Sequence, residues 1–101
     1  MLQVLHLLQE RTKINLIKII DALKTYGQLH IRGIHRVTGI NPLTVSTLVQ
    51  RYGRFFDIDV QEVVPGFGTK FVRLKNPSIT IEDIERDIQL RKNIRNNMKV
   101  K

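Results

Sequence analysis

Apolar positions along the chain follow a helical period, then a period of two, then a helical period again. Leu16, Ile20 and Leu23 recur at spacings of four and three with Ile17 beside them, and Gly27 is a natural stop. The pattern therefore predicts helix over roughly Leu2 to Tyr26. Upstream, Val4, Leu5, Leu7 and Leu8 form a second apolar patch, and Thr12 either caps a fresh helix or lies inside one long one. Ile31 to Thr38 reads as a short helix with Ile34 and Val37 inward and Arg32 and Arg36 outward. Gly39 suits the left-handed end of that helix, while Asn41 and Pro42 suit the N-cap and first position of the next. From Pro42 to Tyr52, Val45, Leu48, Val49 and Tyr52 share one face at i, i+3, i+4 and i+7. The other face carries Thr44, Ser46, Thr47, Gln50 and Arg51, then Arg54, with no acid among them.

The period then changes. Phe56, Ile58 and Val60 alternate with Asp57, Asp59 and Gln61, as in a half-buried strand. Val64-Pro65-Gly66-Phe67-Gly68-Thr69 reads as a hairpin loop whose two glycines are free to take positive φ. Lys70 to Lys75 returns as a second strand bearing Lys70, Arg73 and Lys75. In the last segment Thr80 as N-cap places Asp83 at the third helical position, and Ile79 and Ile84 occupy staple positions. Ile81, Ile84 and Ile88 predict an apolar stripe, continued less regularly by Ile94 and Met98. Acids at the start of this helix and bases at its end suit its dipole, and the same gradient would let two copies pair antiparallel.

Length and composition narrow the class. A chain of 101 residues fits one domain, 1–101, with a core over about 12–75, an apolar extension over 1–11 and a final helix over about 80–98. Hydrophobic content of 42% is too high for a disordered chain. No run approaches the roughly 18 apolar residues of a membrane span, and the first ten residues lack a basic leader region, so a cytoplasmic protein is expected. Cysteine is absent, which removes disulfides, iron–sulfur clusters and thiolate zinc sites. His6, His30 and His35 lack metal-ligand spacing, and Ser46 and Ser78 lack a histidine partner. Glu82 and Asp83 fit a helix N-terminus better than acid–base catalysis. The glycines at Gly66 and Gly68 precede no helix, so they form no phosphate loop. Neither an enzyme nor a cofactor, metal or small-molecule ligand is expected.

Charge adds a partner. The formal charge is +8 and the pI about 10.3, as in proteins that meet a polyanion. From Arg11 to Arg54 there are eight basic residues against the single acid Asp21, whereas Thr80 to Leu90 holds Glu82, Asp83, Glu85 and Asp87 against Arg86. From Arg91 onward five basic residues meet no acid. Arg11 and Lys13 either bind phosphates or solvate a helix.

The order helix, helix, tight turn, helix, strand, loop, strand, helix resembles the winged helix-turn-helix superfamily over Gly27 to Leu74. The residues that carry the resemblance are Ile34-His35-Arg36-Val37-Thr38-Gly39-Ile40, Asn41-Pro42-Leu43-Thr44-Val45-Ser46-Thr47-Leu48-Val49 and Pro65-Gly66-Phe67-Gly68-Thr69-Lys70. His35 stands where that family often has a small residue, which predicts a slightly wider helix crossing. The acids Asp57, Asp59 and Glu62 make the first wing strand less basic than the pattern.

The resemblance implies an α+β, mainly α fold, with a three-helix core, a two-stranded β-wing, an N-terminal extension and a C-terminal dimerisation helix. It implies that the chain binds double-stranded DNA as a homodimer, as a transcriptional regulator or a nucleoid or partition protein. The layout is also similar to small archaeal chromatin-type winged-helix proteins that end in an antiparallel helix pair. Under that reading Thr44, Ser46, Thr47 and Gln50 read bases in the major groove, where Leu43 or a threonine methyl can meet a thymine methyl. Arg32, Arg36, Arg51, Arg54, Lys70 and Arg73 hold the backbone. Leu5, Leu8, Ile84 and Ile88 are the expected dimer contacts. A winged-helix adaptor for protein partners is the alternative, supported by the acidic first wing strand and the apolar N-terminus. RNA binding is weaker still, because no aromatic pair stands on a strand to stack bases.

Overall fold

A computed structural model describes residues 2–99, with side chains for 10–62, 64–91 and 94. Four helices and a three-stranded antiparallel sheet follow in the order α1 (Leu2–Tyr26), β1 (Gln28–His30), α2 (Ile31–Thr38), α3 (Pro42–Arg51), β2 (Phe56–Val64), β3 (Phe67–Leu74) and α4 (Ile81–Lys99). The class is therefore α+β. Thr12 lies within α1, which is one continuous helix.

The core is built where the faces predicted from spacing meet. Leu16, Ile19, Ile20 and Leu23 of α1 pack with Ile34 of α2, with Val45, Leu48 and Val49 of α3, and with Val72 of β3. Each such side chain contributes roughly 1.5–3 kcal/mol on burial. Ile19, which the spacing argument did not select, is as fully buried as Leu16. Val37 departs from expectation: it is 45% exposed, because in an eight-residue helix the inward face is taken by Ile34 with Ile31 partly buried beside it.

The sheet has three strands where two were expected, in the order β1-β3-β2. The added strand pairs Gln28 with Arg73, Leu29 with Val72 and His30 with Phe71. Gly27, at φ 82°, turns the chain out of α1 into this strand. Three residues are too few to show an alternation, which is why the pattern concealed it.

The β2–β3 loop is also tighter than its composition suggested. Only Pro65 and Gly66 lie between the strands, and Gly66 alone takes a positive φ, 86°. Proline followed by a left-handed glycine fits a type II turn. Gly68 is instead a strand residue opposite Glu62, where a Cβ would stand 2.8 Å from Val60 Cγ1. The register shifts between Glu62 and Val64, so a bulge bends the strand just before the turn.

Helix α4 starts on a reciprocal cap: Thr80 N donates to Asp83 Oδ2 at 3.0 Å and Asp83 N donates to Thr80 Oγ1 at 3.3 Å. The Thr80 backbone and hydroxyl donors hold the Asp83 carboxyl below its usual range. Its capping contribution is complete above the ordinary aspartate pKa and is lost as pH falls through the lowered value. Ile79 and Ile84 are both buried, as a staple requires. The inward stripe, however, is Ile84, Asp87, Ile88 and Arg91, and Ile81 is exposed.

Asp87 is the one buried charged side chain among the described residues, at 5% exposure. Its Oδ1 accepts from Arg54 Nη1 at 3.0 Å and its Oδ2 from Arg91 Nε at 3.1 Å. The Arg91 guanidinium also lies 4.8 Å from the centroid of the Tyr52 ring, and Tyr52 stacks on Phe55. A carboxylate with both oxygens held by arginines thus fastens α4 to the end of α3.

Two stability outcomes follow. Asp87→Asn should lower stability by about 2 kcal/mol, or a melting temperature drop of roughly 10 °C, discounted for the partly exposed arginines. Asp57→Asn, whose partner Arg73 is 3.9 Å away on the surface, should change it by less than about 0.5 kcal/mol. Equal effects in a thermal melt would show that the α4 fastening is no stronger than a surface pair. Gly39→Ala should cost about 1 kcal/mol in urea unfolding, because Gly39 sits at φ 77°, and Gly39→Asn should cost less.

Candidate nucleic-acid interface

The site is built from α2, a three-residue turn and α3. The Gly39 amide donates to the His35 carbonyl at 2.7 Å, closing α2. Asn41 Oδ1 accepts from Leu43 N at 2.9 Å and the Asn41 carbonyl accepts from Val45 N, so α3 begins on a satisfied cap with Pro42 in its first turn. Thr38 Oγ1 donates to the Ile34 carbonyl and accepts from Ile40 N, at 2.6 and 3.2 Å. His35 Nδ1 lies 2.8 Å from the Ile40 carbonyl, a contact that needs the proton on Nδ1. His35 is exposed rather than buried between helices.

Burial of Val45, Leu48, Val49 and Tyr52 turns the opposite face of α3 to solvent. The centre of that face is Leu43, Thr47 and Gln50, all exposed and spaced i, i+4 and i+7. Leu43, at 76%, is the most exposed large apolar side chain among the described residues. Thr44 and Ser46 stand on the two flanks and are half-buried. The Thr47 hydroxyl donates to the Leu43 carbonyl at 2.8 Å. Leu43, expected to meet a thymine methyl rather than to read bases by hydrogen bonds, holds the second helical position on the outward face.

The cations divide into two sets. Arg32 and Arg36 on α2, Arg51 on α3 and Lys70 on β3 are exposed and have no carboxylate in ion-pair range among the described residues. Arg54 is engaged by Asp87, Arg73 faces Asp57, and Lys13 is paired to Glu85 at 2.6 Å. That pairing raises the Lys13 pKa. Neither α2 nor α3 contains an acid, so Arg32, Arg36 and Arg51 act on solvent without local neutralisation.

The structure does not bring Lys70 and Arg73 together. They are three apart on one strand, so they point to opposite faces of the sheet. Lys70 lies opposite Val60, whereas Arg73 lies opposite Asp57 on one side and Gln28 on the other. Ile58 and Val60 are exposed, contrary to the half-buried strand expected: β2 is an edge strand on which the core covers Phe56 but not Ile58, although Val72 opposite it on central β3 is fully buried. With Val64, and with Phe67 at 72% exposure, they leave the outer hairpin apolar.

The expected dimer contacts are redistributed as well. Ile84 is 2% exposed within its own chain and has no free surface to offer, and Ile88 packs against the same core. The reason is the stripe through Asp87, which turns Ile84 and Ile88 inward together. Among the described residues, Leu90 and Ile94 of α4 and Ile14 and Tyr26 of α1 are large apolar side chains left exposed on these helices besides Ile81. The side chains of Leu5 and Leu8 lie outside the described residues.

Between α1 and α2 runs an open groove of about 440 Å³ lined by Lys18, Ala22, Tyr26 and Val37. Asp21, Thr25 and Thr38 line it as well, the two threonine hydroxyls already donating to the Asp21 and Ile34 carbonyls, and among the described residues no group of three or more histidines and acids gathers to hold a metal ion. Among the same residues no helix is long and apolar enough to cross a membrane. No protein-family model, no curated protein and no solved structure matches this chain.

Proposed function

We propose that the chain is a winged helix-turn-helix protein that binds double-stranded DNA as a homodimer. In this reading α3 enters the major groove, the β2–β3 hairpin is the wing, and the protein acts as a transcriptional regulator or a nucleoid or partition protein without catalysis. The observation that carries the proposal is the outer face of α3. Leu43, Thr47 and Gln50 form its centre, and the unpaired cations Arg32, Arg36 and Arg51 stand on α2 and α3 with no acid on either helix.

A helix of this width fits the major groove of B-DNA, where Gln50 can hydrogen-bond base edges and the arginines can bind flanking phosphates. Helix dipoles and a net charge of +8 add a long-range attraction. Exposed Leu90 and Ile94 on α4 favour pairing with a second copy. Such a two-fold would set the two α3 helices about 34 Å apart on one face of the duplex.

A second reading, a protein–protein adaptor, draws on the outer hairpin. Ile58, Val60, Val64 and Phe67 are exposed there beside Asp57, Asp59 and Glu62, a surface better suited to a protein than to phosphates.

Fluorescence anisotropy with a random duplex across a salt series separates the two. Four free cations per protomer give a dimer a slope of about 7 in log Kd against log salt. Lys70→Ala should weaken all sequences evenly and lower the slope by about 2. Gln50→Ala should instead reduce preference for a selected site by about tenfold. An equal effect of both variants on random DNA would argue against base reading by Gln50, and no binding at low salt would favour the adaptor. Sedimentation at micromolar protein should show a dimer that Ile94→Glu dissociates, and a wild-type monomer would remove the two-fold geometry.

A further inference from the structure

We infer that the outer stripe of α3 selects thymine through its 5-methyl group, and so directs the protein to A·T-rich duplex DNA. The inference rests on the DNA-binding reading given above and names the base composition that the same face would recognise.

The stripe is short and chemically one-sided. Leu43 stands in the first turn of α3, the part of such a helix that reaches deepest towards base edges. Its side chain is 76% exposed, carries no polar atom and is not among those packed against the core. One turn further, the Thr47 hydroxyl proton is already donated to the Leu43 carbonyl at 2.8 Å. Towards a partner, Thr47 therefore offers a methyl group and an acceptor oxygen. Gln50 completes the line with an amide that suits the paired donor and acceptor on the major-groove edge of adenine.

Guanine presents two acceptors there and is read best by an arginine or lysine that donates to both. No such side chain stands on the Leu43–Thr47–Gln50 stripe. Arg51, four residues after Thr47, borders this stripe only at the last position of α3, away from the first turn that reaches deepest towards base edges. Arg32 and Arg36 belong to α2. The face thus combines an apolar contact for thymine, an amide for adenine and no guanine reader, while the cations that supply affinity lie outside it.

Replacing thymine by uracil deletes only the methyl group and tests the inference directly. Three duplexes of equal length are compared by anisotropy at one salt concentration: an A·T-rich sequence, the same sequence with deoxyuridine for thymidine, and a G·C-rich sequence. The full-length protein should bind the thymine duplex tightest, with about a fourfold loss for each contacted methyl removed. Leu43→Ala should bind the thymine and uracil duplexes with nearly equal affinity. Its circular dichroism melt should match wild type, since Leu43 supports no core contact. Salt-dependent binding that ignores the methyl group, or that favours the G·C duplex, would overturn the inference and leave the DNA-binding reading standing. Failure of the wild-type protein to bind any of the three at low salt would overturn both.

Discussion

Burial of one face of α3 is the constraint on which the rest of this molecule depends. Val45, Leu48, Val49 and Tyr52 are held against α1, α2 and the sheet, and their spacing leaves the helix one way to sit. Once that face is fixed, Leu43, Thr47 and Gln50 must project outward, and Arg51 must flank them. The start of the helix is held independently by the Asn41 cap and the left-handed Gly39. Its end is held by Tyr52, which carries the Arg91 guanidinium on its ring. A surface helix anchored at both ends and along one side presents its outer residues with little freedom, as recognition of a groove demands.

The acids are distributed so as to leave that surface positive. Asp87 consumes part of Arg54 and Arg91, Glu85 takes Lys13, and Asp57 stands near Arg73. None of those pairs includes a residue of α2 or α3, which contain no acid, although Arg54 and Asp87 meet at the end of α3. The net charge of the chain is therefore a poor guide to any single cation. Which cations remain free of a carboxylate depends on the fold, and Arg32, Arg36, Arg51 and Lys70 are among those it leaves unpaired within the described residues.

The helices and their caps were legible in the sequence because each depends on neighbours within one or two turns. Asn41–Pro42, Gly39 and the Thr80–Asp83 pair act locally, and all take the conformations expected of them. Long-range pairing was less legible. Strand β1 exists because Leu29 lies against Val72, more than forty positions away, and nothing in Gln28-Leu29-His30 announces it. The same holds for Asp87, which reads as one surface acid among several until α4 packs over Tyr52 and Arg54. With Asp87 buried, Ile84 and Ile88 face the core instead of the outer surface expected of them. In the candidate site, chemical type put half-buried Thr44 and Ser46 beside Thr47 and Gln50 as base readers and gave Leu43 only a methyl contact. Exposure, not chemical type, corrects that choice. The apolar outer hairpin was missed for a related reason, since alternation shows that a strand has an apolar face but not whether anything covers it.

Nuclear magnetic resonance of the nitrogen-15-labelled chain, titrated with a short A·T-rich duplex, tests the central claim residue by residue. The account predicts that the largest amide shift changes fall on α3 (Pro42–Arg51) and around Arg32 and Arg36, with smaller ones near Lys70. Shift changes confined to the outer hairpin around Ile58 to Phe67, or none at any amide, would contradict it.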